Sequence, residues 1–233
     1  MPTEPRTKLV VFLSELRKTV KYTCALLVLV TLGLFFTSRQ LIPLFQEHLH
    51  EQLYFFSVAG PFLAHVKVSF FGALYLLMPL LTFVLWQAMG KPFGMERRML
   101  FSFVGATCFL FYAGTIFCYL VTLPYGVQFL LGFQSEDLKA FISIGRFVTF
   151  VTIFILAFGL IFELPVFMIF SVQVGLFSRR TFEQNRRFAL LGIAILAAVL
   201  TPTPDVVNMA LMGGPLYLLY EFGIFVIRLM GRE

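Results

Sequence analysis

Charge is scarce in this chain. Asp, Glu, Lys and Arg make up 13% of 233 residues, against about 25% for a soluble domain. That scarcity leaves no room for a separate soluble domain beside one apolar bundle. Cysteine is scarce too. Cys24, Cys108 and Cys118 all lie inside apolar runs. Their odd number and spacing exclude a disulfide scaffold and a metal cluster, and they read as small hydrophobes. His48 and His50 flank Leu49, but with no third ligand the pair reads as a solvated helix face. No Gly-rich phosphate loop, H-E-x-x-H or nucleophile–base arrangement occurs, which argues against an enzyme, a cofactor or a bound metal. No basic stripe with interleaved aromatics occurs either, which argues against nucleic acid. The first apolar run follows a basic lead and no small-residue cleavage site follows it, so no cleavable signal peptide is expected. The two halves show no mirrored lengths or proline positions, unlike a repeat-built transporter.

What is abundant is hydrocarbon. Apolar residues are 59% of the chain, Phe alone supplies 31, and the mean hydropathy is +0.90. The expected class is an all-α membrane protein forming one integral domain over residues 1–233, with six spans at about 21–36, 67–89, 99–123, 146–174, 188–200 and 206–227. Phe188 to Leu200 is only about 20 Å of helix. The sixth span meets Glu221 after a similar length, so the last two spans read as a short hairpin that thins the bilayer, or as a re-entrant pair. Between spans one and two, Leu41, Leu44, Phe45, His48, Leu49 and Leu53 recur at three and four. They read as an amphipathic cap over the outer face.

Lys and Arg set the orientation. With the N-terminus inside, fourteen of the eighteen fall in cytoplasmic segments. Arg39, Lys67, Lys139 and Arg146 stay outside. An even number of spans with both termini cytoplasmic satisfies that bias.

The few acids repay individual attention. Glu163 interrupts the apolar run from Phe147 to Phe170. A charged group near mid-bilayer costs about 2.5–3.5 kcal/mol on insertion scales. It reads as a functional carboxyl facing protein or a watery cavity. The alternative is a structural acid satisfied by hydroxyls such as Thr107, Thr115, Thr149 or Thr152. Glu15 and Glu96 sit beside basic residues in cytoplasmic segments. They read either as local charge balance or as an acidic site for a cationic partner, where guanidinium gives a two-pronged fit that ammonium cannot. Asp205 follows the turn Thr201-Pro202-Thr-Pro, either as a helix cap or as a docking residue. Glu221 near the end of the last span is open in the same way.

Several segments, in order, resemble the TatC family, the receptor subunit of the twin-arginine protein translocase. They are Phe12-Leu-Ser-Glu15-Leu-Arg17-Lys18, Gly60-Pro61-Phe62 followed by Lys67, Glu96-Arg97-Arg98, Phe158-Gly-Leu-Ile-Phe-Glu163-Leu-Pro165, Leu200-Thr201-Pro202 through Pro204-Asp205, and Gly214-Pro215 with Tyr220-Glu221-Phe-Gly223. The first cytoplasmic loop is about two residues shorter than the family's, and Thr203 is extra between the outer prolines. The resemblance implies a concave six-span bundle that binds twin-arginine signal peptides of folded substrates. Glu15 and Glu96 would receive the arginines, with Arg17 and Arg97 shaping the site. Glu163 and Pro165 would meet a polar residue of a small single-span subunit of the TatA or TatB type. Thr201, Pro202 and Asp205 would dock partners at the outer turn, with Glu221 a further candidate. The location implied is a bacterial-type cytoplasmic membrane, in an oligomeric complex driven by the proton-motive force. The competing readings are a proton-coupled small-solute transporter that uses Glu163, and a purely structural membrane subunit.

Overall fold

The computed structural model describes residues 19–38, 53–54, 58–132, 142–200 and 206–231. The expected outer cap falls almost wholly outside the described residues, as do His48 and His50. Ten helices are described: α1 Thr19–Ser38, α2 Gly60–Leu76, α3 Met78–Gly90, α4 Arg97–Phe117, α5 Leu123–Leu131, α6 Ile144–Ile161, α7 Leu164–Gln173, α8 Arg179–Gln184, α9 Arg186–Leu200 and α10 Val206–Leu229. Two-residue strands β1 (Leu53–Tyr54) and β2 (Ile142–Ser143) pair in parallel, Leu53 against Ile142.

Four continuous helical stretches are long and apolar enough to cross a membrane: Thr19–Ser38, Arg97–Gln128, Ile144–Gln173 and Met212–Leu229. The pair α2 and α3, bent by 55°, supplies a fifth if it is one span. Pro79 stands in the first turn of α3. With no N–H and with a ring that crowds the preceding turn, it places the bend. α9 has 15 residues, about 22 Å of helix, well short of the ~30 Å hydrocarbon core. α10 runs for 24 residues and continues past Glu221, whose carboxylate is matched by Arg186 at 3.0 Å.

Two boundaries differ from the sequence expectation. α2 begins at Gly60, seven residues before Lys67, with Pro61 in its first turn. Lys67 therefore falls within α2, and its ammonium donates to Thr149 Oγ1 on α6 at 2.7 Å. The third span does not stop at Pro124. A π-helical turn over Cys118–Thr122 precedes it and the helix continues to Leu131. That wider turn gives the proline ring room from the preceding carbonyls.

The chain packs as two compact units. In the first, α2 meets α6 through Ala64, Val68 and Val148. Ser38 Oγ and His65 Nδ1 are 3.1 Å apart and link α1 to α2. α3 meets α4 where Trp86 stacks on Phe103 at 4.8 Å and donates to Thr107 Oγ1 at 2.9 Å. Span hydroxyls bond back to their own helices, as in Thr31 to Leu27 O at 2.7 Å and Thr152 to Val148 O at 2.6 Å. Lipid offers them no other partner.

In the second unit, α4 and α6 cross on two glycines. A Cβ at Gly114 would lie 2.6 Å from Phe162 Cγ, and one at Gly159 would lie 2.6 Å from Phe111 Cε2. The absent side chains admit the rings of Phe111, fully buried, and Phe162, half-buried. Lipid tails supply no hydrophobic drive for helix association, so such close approach contributes the adhesion. Gly159→Leu is therefore expected to lower detergent-solubilised stability by about 1–3 kcal/mol or more through overpacking. Gly105→Ala, whose Cβ would meet nothing within 4 Å, should leave the melting temperature nearly unchanged.

Candidate functional site

Glu163 stands at an irregular turn inside the continuous stretch Ile144–Gln173. Phe162 and Glu163 join α6 to α7, and Glu163 is the residue before α7. Its amide donates to Leu160 O at 3.2 Å, three residues back, and its carbonyl accepts from Val166 N at 3.0 Å and Phe167 N at 3.1 Å. Pro165 supplies no amide hydrogen, so the ladder tightens and restarts at this point. The carboxyl side chain is buried, with Glu163 only 3% exposed. A buried acid beside the positive end of a new helix is electrostatically favoured relative to one in mid-helix.

The other residues of this segment have packing roles. Phe158 lies against Phe154 at 5.2 Å and Phe117 at 6.4 Å. Gly159 admits Phe111, and Phe162 covers Gly114. Pro165 touches α10, where a Cβ at Gly223 would lie 3.3 Å from its Cα and 2.9 Å from Met168 Sδ. Pro165 is thus brought against α10, and Glu221 lies two residues before that contact. Of the hydroxyls considered for Glu163, Thr149 and Thr152 bond to Gly145 O and Val148 O, Thr115 bonds to Tyr112 O, and Thr107 accepts from Trp86.

Glu96 is presented differently. After α3 a 3₁₀ turn spans Lys91–Phe93, and Gly94 takes φ +64°, a conformation that glycine adopts without steric cost. Met95 N then returns to Gly90 O at 3.1 Å, and its side chain fills the space above Gly90. Glu96 follows, exposed, with its carbonyl accepting from Leu100 N at 3.0 Å. Arg97 and Arg98, also exposed, open α4. Two cations at a helix N-terminus oppose its dipole, and an acid there offsets them. Glu15, Arg17, Thr201, Pro202 and Asp205 lie outside the described residues.

Glu221 has a constellation that sequence reading did not assemble. Arg186 Nη2 donates to its Oε2 and Tyr217 Oη to its Oε1, each at 3.0 Å. Tyr217 was detectable as the residue four before Glu221 on one helix face. Arg186 had been counted only as a topology charge. One turn on, the buried Tyr220 donates to Phe182 O at 2.7 Å, which straps α8 to α10. Ser178 caps α8, accepting from Thr181 N at 3.2 Å. Among the described residues, no group of His, Cys, Asp and Glu is arranged to hold a metal.

These features define a helical, multi-pass membrane protein with a few buried or paired polar groups among apolar helices. The family model for the Sec-independent protein translocase protein TatC matches residues 11–215. The chain is 33% identical over 183 residues to TatC of Carboxydothermus hydrogenoformans, covering 77% of this chain and 74% of that one. It is 34% identical over 184 residues to TatC of Desulforapulum autotrophicum, covering 78% and 68%. Against TatC of Magnetococcus marinus it is 29% identical over 237 residues, covering 99% and 87%. The crystal structure of the twin-arginine translocase receptor TatC in DDM superposes with a TM-score of 0.81 at 23% identity, covering 92% of this chain and 98% of that one. A second crystal structure of that receptor gives 0.80 at 24% identity, covering 95% and 100%. The chain belongs to the TatC family of Sec-independent protein translocase proteins, a protein-transport family without an enzymatic step.

The Tyr220 strap and the Arg186–Glu221 pair differ in worth. The pair is partly solvated, with side chains 49% and 31% exposed, and is worth about 0–1 kcal/mol. The Tyr220 hydroxyl is buried, and removing it strands the Phe182 carbonyl at about 1–3 kcal/mol. Tyr220→Phe is expected to lower the melting temperature in detergent more than Arg186→Gln, and to speed amide exchange across Arg179–Gln184.

Proposed function

We propose that this chain is the signal-peptide receptor and assembly platform of its translocase. It would act as one six-span membrane domain with both termini on the cytoplasmic side of a bacterial-type cytoplasmic membrane, driven by the proton-motive force. Glu96 and Glu15 receive the consecutive arginines of a folded substrate's signal peptide, with Arg97 and Arg17 shaping the site. The observation that carries this reading is the exposed Glu96 side chain, held on a loop clamped by the bond from Met95 to Gly90. An acid so placed offers guanidinium two acceptors without needing to order a loose segment first. The solved structures that share this fold are described as twin-arginine translocase receptors, which supports the same assignment.

A purified-protein binding assay compares a twin-arginine peptide with its twin-lysine variant, alongside cross-linking from positions flanking Glu15 and Glu96. Loss of one charge-assisted hydrogen-bonded contact is worth about 1.5–3 kcal/mol, or about tenfold and more in affinity. Twin-lysine peptide and Glu96→Gln should each show that loss. Equal binding of both peptides would remove the proposal.

Glu163 and Pro165 form the intramembrane half of the platform. The carboxyl meets a polar side chain of a small single-span subunit, and the outer turn at Thr201, Pro202 and Asp205 docks partners beside it. Glu163→Gln should retain part of the co-purifying subunit and of reporter export. Glu163→Leu should lose both without lowering the melting temperature, since hydrocarbon replaces a buried acid. Unchanged export by Glu163→Leu would leave the acid without this role. Solute flux through liposomes holding this chain alone would favour the transporter reading.

A further inference from the structure

The geometry points to a binding site for one anionic glycerophospholipid where α2 meets α6, independent of the peptide-receptor reading. Lys67 of α2 is half-buried, and its ammonium donates to Thr149 Oγ1 of α6 at 2.7 Å. The Thr149 hydroxyl gives its own proton to Gly145 O at 2.7 Å, so toward Lys67 it acts as acceptor only. An ammonium carries three donors. Thr149 thus fixes the direction of one and leaves two available. Arg146, exposed, stands one turn nearer the start of α6 than Thr149 and on the same face. Among the described residues the ion pairs are Arg179–Glu183 and Arg186–Glu221, so neither Lys67 nor Arg146 has a carboxylate partner there. Two neighbouring cations without a counter-charge, at the edge of a low-dielectric layer, favour an anion between them.

The surroundings decide which anion. Phe70 follows Lys67 by three residues on α2, and Ile153 follows Thr149 by four on α6. Each shares a face with the polar residue it follows, and both rings and branches are exposed. Ala64, Val68 and Val148 close the seam between the two helices. The cations therefore stand at one end of an exposed apolar strip, which suits an amphiphile and offers a free phosphate nothing. Depth agrees with this. β1 and β2, which precede the two helices, pair in parallel, so α2 and α6 start at one membrane face. Lys67 lies seven residues into α2 and Arg146 two into α6, about 10 Å and 3 Å along them. Helical side chains lean toward the N-terminus, and long cationic ones extend to the headgroups. The open amides at the start of α6 add positive potential at the same end. The phosphate sits at Lys67 and Arg146, and one acyl chain runs past Phe70 and Ile153.

Native mass spectrometry of the full chain purified in detergent, titrated with phosphatidylglycerol, phosphatidylcholine or glycerol 3-phosphate, tests this. Phosphatidylglycerol should be retained over phosphatidylcholine by about fivefold or more. Arg146→Gln and Lys67→Gln should each cut its retention by about fivefold, the effect of one cation on an anionic headgroup. Thr149→Val keeps both charges but releases Lys67, and should weaken retention less than either. Glycerol 3-phosphate should bind far more weakly, since it lacks the chain. Arg228→Gln, at an exposed cation on α10, should leave retention unchanged. Arg146 is exposed, so its variant decides the matter should Lys67→Gln not yield folded protein. Equal retention of the two lipids, retention untouched by Arg146→Gln, or an equal loss from Arg228→Gln overturns the proposal. So does glycerol 3-phosphate binding as tightly as phosphatidylglycerol. So does an Arg146→Gln chain that sheds a co-purified protein while phosphatidylglycerol stays bound, because the cations then face that protein's carboxylate.

Discussion

Inside a bilayer the backbone must satisfy itself, and the second unit departs from a regular α-helix at the π turn over Cys118–Thr122 and again at Glu163. Pro165 removes a donor from the ladder two residues after Glu163, and the chain restarts as α7 with the Glu163 carbonyl taking the first amides. The break admits a carboxyl to the interior at a helix N-terminus, where the peptide dipoles favour it. An unbroken helix through the same residues would hold that acid without such help. The cost of burial and the cost of the proline are therefore met at one site.

Tight packing keeps that break in place. The glycines at 114 and 159 let α4 and α6 approach until aromatic rings occupy the space where side chains would be. Gly223 does the same for α10 against Pro165 and Met168. Leucine-like residues in these positions would grip lipid as well as protein, so the adhesion comes from closeness of fit. The abundance of Phe has its purpose here, since flat rings fill the narrow gaps that small residues create.

The spans were legible because apolar runs and prolines are local signals. The run through Phe147–Phe170 announced one span where α6 and α7 lie, whereas the bend between α2 and α3 fell inside a single expected span at 67–89. Glu163 was conspicuous because a bilayer makes any ionisable group stand out, and the structure places it as a buried acid at an irregular turn. The pairings were not legible. Arg186 meets Glu221 across 35 positions, Tyr220 meets Phe182 across 38, and Lys67 meets Thr149 across 82. No periodicity carries such separations. The start of α2, seven residues before Lys67, and the continuation of α4 through the π turn into α5 were hidden, because both outcomes depend on what packs alongside.

The small parallel pair of β1 and β2 carries a rule of parity. Leu53 lies opposite Ile142, and further along both strings of residues Lys67 reaches Thr149. The two tethers follow the same sense, so α2 and α6 depart from a common level and travel alongside one another. Whichever leaflet α2 enters from, α6 enters from it as well. If α2 and α3 form one span, the polypeptide in between must accordingly come back an odd number of times, a restriction on threading through a bilayer that owes nothing to the distribution of arginine and lysine.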